Sequence, residues 1–151
     1  MLLNYPLGKG PAPLMSDLVV SRAVVDQVGG FEESFGGIYQ LYEDQAFLAK
    51  VYLTTPAFVS GRCWSYYRQT PTSCNAVTQA AGYYGEIRRF FLEHLERHLT
   101  SQNNQNPLIW RALRRALWPY RHPYLSKIDS LGRGSLRRFR RFLPNLNTTS
   151  L

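Results

Sequence analysis

From residue 83 to residue 98, Tyr83, Tyr84, Ile87, Phe91, Leu95 and His98 recur at helical spacing. Only an α-helix gathers such positions on one face, and so apolar a face has to be covered by another part of the chain. Glu86, Arg88, Arg89, Glu93 and Arg97 fall mostly outside the stripe. Glu93 and Arg97 form an acid-first pair one turn apart, which favours a helix. The pattern predicts a long helix over roughly residues 76–99.

Glycine and proline divide the rest of the chain into short pieces. Residues 1–16 contain Pro6, Gly8, Gly10, Pro11 and Pro13 and no apolar period, which predicts an extended lead-in. Gly8-Lys9-Gly10 is too short to match a glycine-rich phosphate loop. Ser21 is placed to cap a short helix over residues 22–28, with Val24, Val25 and Val28 on one face. Gly29 and Gly30 end it, and Gly36-Gly37 make a second turn. Phe47, Leu48, Val51 and Tyr52 predict a helix from Glu43 to about Leu53, stopped by Pro56. Ala57–Ser60 and Cys63–Arg68 are rich in β-branched and aromatic residues and predict two short strands, with Gly61-Arg62 allowing a hairpin. Asn106 caps a last helix with Pro107 in its first turn, and Pro119 is expected to end it.

Apolar residues make up 44% of the chain and aromatics 14%, which excludes a disordered chain. No apolar run approaches the ~20 residues of a membrane-spanning helix. The first residues have neither the basic region nor the long apolar stretch of a secretory signal. Cys63 and Cys74 lack metal-ligand spacing and are too few for a disulfide framework, so a cytoplasmic location is expected. The net charge of +8 is one-sided. Residues 1–100 carry eight Lys/Arg against nine Asp/Glu, whereas residues 101–151 carry ten against Asp129 alone.

The chemistry-bearing candidates begin with Glu43-Asp44. Two acids in a first turn meet the positive end of the helix dipole, and that alone would account for them. Equally, one carboxylate there would serve as a general base for an acceptor hydroxyl. Arg68 is either a surface cation or a guanidinium suited to paired hydrogen bonds with phosphate. Trp64 packs in the core or walls an acceptor site. His94 and His98 lie one turn apart, but no third ligand follows at a usual distance, which favours a packing role.

Taken in order, Gly29-Gly30-Phe31-Glu32-Glu33, Glu43-Asp44, and Tyr67-Arg68-Gln69 with Ser73 resemble the C-terminal half of family-two inverting glycosyltransferases. The resemblance covers residues 16–78. It implies an α/β chain, an incomplete GT-A-type fold that is predominantly helical with a short β-hairpin or two short strands. It divides the chain into a lead-in at 1–15, an acceptor-side part at 16–78, a helical extension at 79–123 and a basic tail at 124–151. Asp44 would be the catalytic base that deprotonates an acceptor hydroxyl for attack on a nucleotide-sugar donor. Glu43 would support it, and Arg68, Gln69, Trp64 and Gln45 would contact substrate.

Two departures limit the resemblance. Thr70 stands where many relatives have histidine, and threonine does not replace an imidazole metal ligand. No Asp-x-Asp motif occurs in the chain. The divalent cation of the complete enzyme, Mg or Mn, would therefore be bound mainly by a donor half not found here. The expectation is a truncated fragment without turnover on its own.

In the tail, Arg133, Arg137, Arg138, Arg140 and Arg141 interleave with Leu136, Phe139, Phe142 and Leu143. A solvated basic tail accounts for this pattern. The other reading is a non-catalytic basic module in which residues 133–143 contact an anionic membrane or RNA. The resemblance favours a membrane over nucleic acid, with the protein peripheral on its inner face.

Overall fold

The computed structural model describes residues 1–66, 68 and 70–126. Among the described residues five α-helices follow one another: α1 Arg22–Val28, α2 Glu43–Thr54, α3 Cys74–Ala80, α4 Tyr84–Ser101 and α5 Pro107–Arg121. Short 3₁₀ segments at Met15–Asp17, Glu33–Phe35 and Gly37–Tyr42 join the first of these. Contacts divide the chain into two compact units, Met1–Leu117 and the part from Trp118 onward. Within the second unit, the Trp118 and His122 rings stack at 5.4 Å.

Among the described residues there is no β-strand, which overturns the expected α/β class and with it the GT-A-type sheet and hairpin. The described residues read as strands bury no apolar side chain. Phe58 is 93% exposed and Tyr66 98% exposed, and an isolated two-stranded hairpin is at best marginally stable in water. A local arrangement replaces the ladder. The Ser60 hydroxyl accepts hydrogen bonds from the Arg62 amide at 3.2 Å and from Trp64 Nε1 at 2.9 Å.

The helical expectations fared better, with instructive shifts. The Ser21 hydroxyl accepts from the Val24 amide, and Gly29 closes α1 with φ of 74°. Phe47, Leu48 and Val51 of α2 form a core against Val24, Val25 and Val28 of α1, joined by Met15, Leu18 and Val20. Each fully buried aliphatic or aromatic side chain of this kind contributes roughly 1.5–3 kcal/mol. The long helix expected over residues 76–99 is two helices. Gly82 takes φ of 77° between them, and the Ser73 hydroxyl caps α3 by accepting from the Ala76 amide. Tyr83 therefore precedes α4 and is half exposed, while Ile87, Phe91, Leu92, Leu95 and Leu99 are buried. Glu93 pairs with Arg89 at 2.7 Å, one turn before it, and the expected partner was Arg97.

Two further expectations change. α5 runs through Pro119 to Arg121. Pro119 has no amide hydrogen to donate to the Arg115 carbonyl, and Arg115 lies on the exposed side of the helix. The first ten residues are not extended but wound into turns. The Asn4 and Tyr5 amides donate to the Met1 carbonyl, and the Gly10 amide donates to the Asn4 carbonyl at 2.9 Å. Leu2 and Pro6 are buried by this winding.

Candidate functional site

An aromatic cluster fixes where α2 begins, and so where its first carboxylates lie. Phe35 is 1% exposed and meets Phe90 and His94 of α4 edge-on, at 5.1 and 5.0 Å. Tyr39 stacks on Phe90 at 4.0 Å, and Tyr42 stacks on Phe91 at 5.0 Å. These contacts hold Gly37–Tyr42 against α4. Because α2 starts at the next residue, Glu43 and Asp44 are positioned by packing on a helix that lies forty residues downstream.

The Gly29–Phe35 turn is fastened separately. Phe31 stacks on Phe47 of α2 at 4.5 Å. Glu32 reaches Lys50 of α2, Oε1 to Nζ 2.6 Å, and the Lys50 side chain is 6% exposed. The hydrogen bond from Lys50 holds the Glu32 carboxyl below its ordinary range. Phe31 and Glu32, quoted above as part of a family pattern, thus have a structural role in this chain.

Asp44 lines a cavity of about 450 Å³. Tyr5, Tyr42 and Tyr84 bring phenol rings to it, and Gln45, Asn75 and Gln79 bring amides. Asp44 Oδ1 is buried and has no hydrogen-bond partner. Burial raises the Asp44 carboxyl above its ordinary range, against the pull of the Gln45 backbone amide and side chain, and the Glu43 charge adds to the rise. Such a carboxylate is more basic than a solvated one and has a lone pair to offer. Gln45 is 4% exposed, and its Oε1 is likewise without a partner.

The phenols form a network beside it. The Tyr42 and Tyr84 hydroxyls lie 3.1 Å apart, and either can donate. Arg88 Nη1 donates to the Tyr42 hydroxyl and Nη2 to the Pro6 carbonyl, both at 3.1 Å. Burial, followed by the bond with Tyr84, pushes the Tyr42 phenol far above its ordinary value. Tyr5 is also raised, first by burial and then by Tyr84. Both therefore keep their protons at neutral pH, as neutral donors and acceptors for a hydroxyl-bearing ligand.

The other expected site residues do not gather here. Glu43 is half-buried and is not among the described lining residues. Trp64 is 69% exposed, neither in the core nor on the cavity wall. Arg68 is exposed and away from the lining, as is Thr70, whose carbonyl accepts from the Ser73 amide. Gln69 and Tyr67 lie outside the described residues, as does the basic segment 133–143. Tyr5, Tyr42, Tyr84 and Arg88 were missed as site residues. Tyr42 adjoins Glu43 in the chain, but its link to Tyr84 and Arg88 is a long-range contact with no local signal.

The residues around Asp44 do not suit the divalent cation that the resemblance implied. The described lining offers one carboxylate among phenols and amides, and hard divalent cations favour several oxygen anions or carbonyls. Among the described residues no group of three or more His, Cys, Asp or Glu could hold a metal ion. His94 and His98 are both held below the ordinary imidazole value, chiefly by burial. Among the described residues no helix is long and apolar enough to cross a membrane. Comparison with protein-family models, with curated proteins and with solved structures finds no match to this chain.

Proposed function

We propose that the Asp44 cavity receives a polyhydroxylated acceptor and that Asp44 is the general base of a sugar transfer to it. The observation that carries the reading is Asp44, which lines a cavity of about 450 Å³ and whose buried Oδ1 has no hydrogen-bond partner. A carboxylate in that state takes a proton from an acceptor hydroxyl more readily than a solvated one. Neutral phenols and amides suit the remaining hydroxyls of a sugar, because they both donate and accept without demanding charge. The freed alkoxide would attack the anomeric carbon of a nucleotide-sugar. That carbon inverts as its bond to the diphosphate breaks, and the diphosphate leaves with the bonding pair. The order of the motifs in residues 29–73 agrees with this reading. The donor would be held elsewhere, since no cation among the described residues lines this cavity.

Acceptor binding tests the proposal directly. In amide-resolved NMR titrations with a panel of mono- and oligosaccharides, at least one is expected to shift the signals of Asp44, Gln45, Asn75 and Gln79 together. Tyr84→Phe, which removes one hydroxyl from the rim, is expected to weaken that binding. If no saccharide moves these signals at millimolar concentration, the cavity is not an acceptor site.

A further inference from the structure

A second cavity, of about 760 Å³, lies between the wound N-terminal turns and helices α4 and α5. Four cationic side chains line it: Lys9, Arg88, Arg111 and Arg115. No carboxylate is among its described lining residues. The cations come from three separate parts of the sequence, so the fold has gathered them. Arg111 and Arg115 are one turn apart on α5, where like charges repel, and neither is in an ion pair among the described residues.

The N-terminal turn is built to bring Lys9 there. A Cβ added at Gly8 would collide with the Leu3 and Asn4 carbonyl oxygens, and one at Gly10 would meet the end of the Asn4 side chain. Gly8 therefore has no room for a side chain, whereas at Gly10 the Asn4 amide could swing aside, and Lys9 sits between them. At the inner end Arg88 is held by its bonds to the Tyr42 hydroxyl and the Pro6 carbonyl. A guanidinium fixed in this way gives up little side-chain freedom on binding an anion. The remaining lining is apolar, including Leu3, Leu7, Leu108 and Ala112.

We infer that this cavity is a binding site for a phosphoryl group, held by Lys9, Arg111 and Arg115 with Arg88 at its inner end. Phosphate matches the guanidinium fork and supplies a countercharge to Lys9, Arg111 and Arg115. The inference is independent of the role given to Asp44. Its apolar wall would also accept a short hydrocarbon attached to the phosphate, so the ligand is either a water-soluble phosphate ester or a lipid phosphate.

The test uses the full chain and isothermal titration with two probes, glycerol 3-phosphate and dihexanoyl phosphatidic acid below its micelle concentration. Saturable binding of either at millimolar concentration or tighter is expected, weakening as salt is raised. Tenfold or tighter binding of the lipid identifies a lipid phosphate, and equal binding identifies a soluble ester. Arg111→Gln with Arg115→Gln should weaken binding at least tenfold, and Lys9→Gln several-fold. All three side chains are exposed, and circular dichroism checks that the variants fold. Arg114→Gln, a neighbouring exposed arginine outside the lining, should leave binding unchanged. The inference is overturned if neither probe binds, if the Arg111/Arg115 variant binds as the parent does, or if Arg114→Gln weakens binding equally.

Discussion

The Lys50–Glu32 pair gives a sharp, asymmetric prediction. Lys50 is the buried partner, with its side chain 6% exposed against 31% for Glu32. Glu32→Ala would leave the ammonium in the interior without its 2.6 Å acceptor. Removing one partner of a buried pair costs about 3–5 kcal/mol, because the other charge stays desolvated. Water reaches this site through the partly exposed Glu32 side, so the expected cost is near the lower end, about 3 kcal/mol. Lys50→Met removes the charge while keeping an unbranched apolar stem. Glu32 can then turn to solvent, so the expected change is within about 1 kcal/mol. Urea denaturation followed by circular dichroism reads both. A loss of about 3 kcal/mol would lower the urea midpoint by roughly 1–3 M. Acid adds a second signature. The Glu32 carboxyl is depressed when folded, so its contribution is complete above its ordinary value of 4.5 and lost as pH falls through the folded value. Glu32→Ala should lack that loss. Equal costs for the two substitutions, or a cost under about 1 kcal/mol for Glu32→Ala, would refute the argument from burial.

Three other outcomes follow from the same structure. Gly82→Ala should destabilise by about 1–2 kcal/mol in thermal melts, since its φ of 77° is strained for alanine although nothing lies near the added methyl. His94 and His98 are depressed when folded, so below about 6.5 the unfolded chain takes up protons that the folded chain refuses. Stability should fall as pH is lowered through that region, and His94→Gln should lessen the fall in urea midpoint between pH 7.5 and 5. Asp44 has the opposite sign: its folded carboxyl is raised, so stability falls as pH rises from the ordinary value of 3.8 through the folded value. Asp44→Asn should remove that fall and raise the melting temperature at pH 7, whereas a lowered one would argue against an uncompensated carboxylate.

Local signals in the sequence located α1 and α2 well. The hydroxyl cap at Ser21, the glycines after Val28 and the apolar spacing from Phe47 to Tyr52 act over one or two turns. Residues 57–68 misled because their β-forming composition was read without knowing whether a buried face existed. Phe58, Trp64 and Tyr66 found none, and strand preference is largely a preference for packing. The split at Gly82 was missed because the apolar stripe begins only at Tyr83, and the expected helix was carried back across the glycine to residue 76 without one. In the site, Asp44 was legible from its place at a helix start, and Gln45 only through the family resemblance. Tyr5, Tyr84 and Arg88 were not, since they reach Tyr42 across 37 to 46 positions of chain.

The central claim is that Asp44 takes the proton from an acceptor hydroxyl. Its most direct test joins this chain to a nucleotide-sugar-binding half and compares sugar transfer by the parent, Asp44→Asn and Glu43→Gln. A general base contributes about 10²–10⁴-fold, so Asp44→Asn should lower the rate by that much while acceptor binding survives. Glu43→Gln, with its half-buried side chain off the cavity wall, should cost far less. Transfer by Asp44→Asn at close to the parental rate would contradict the account.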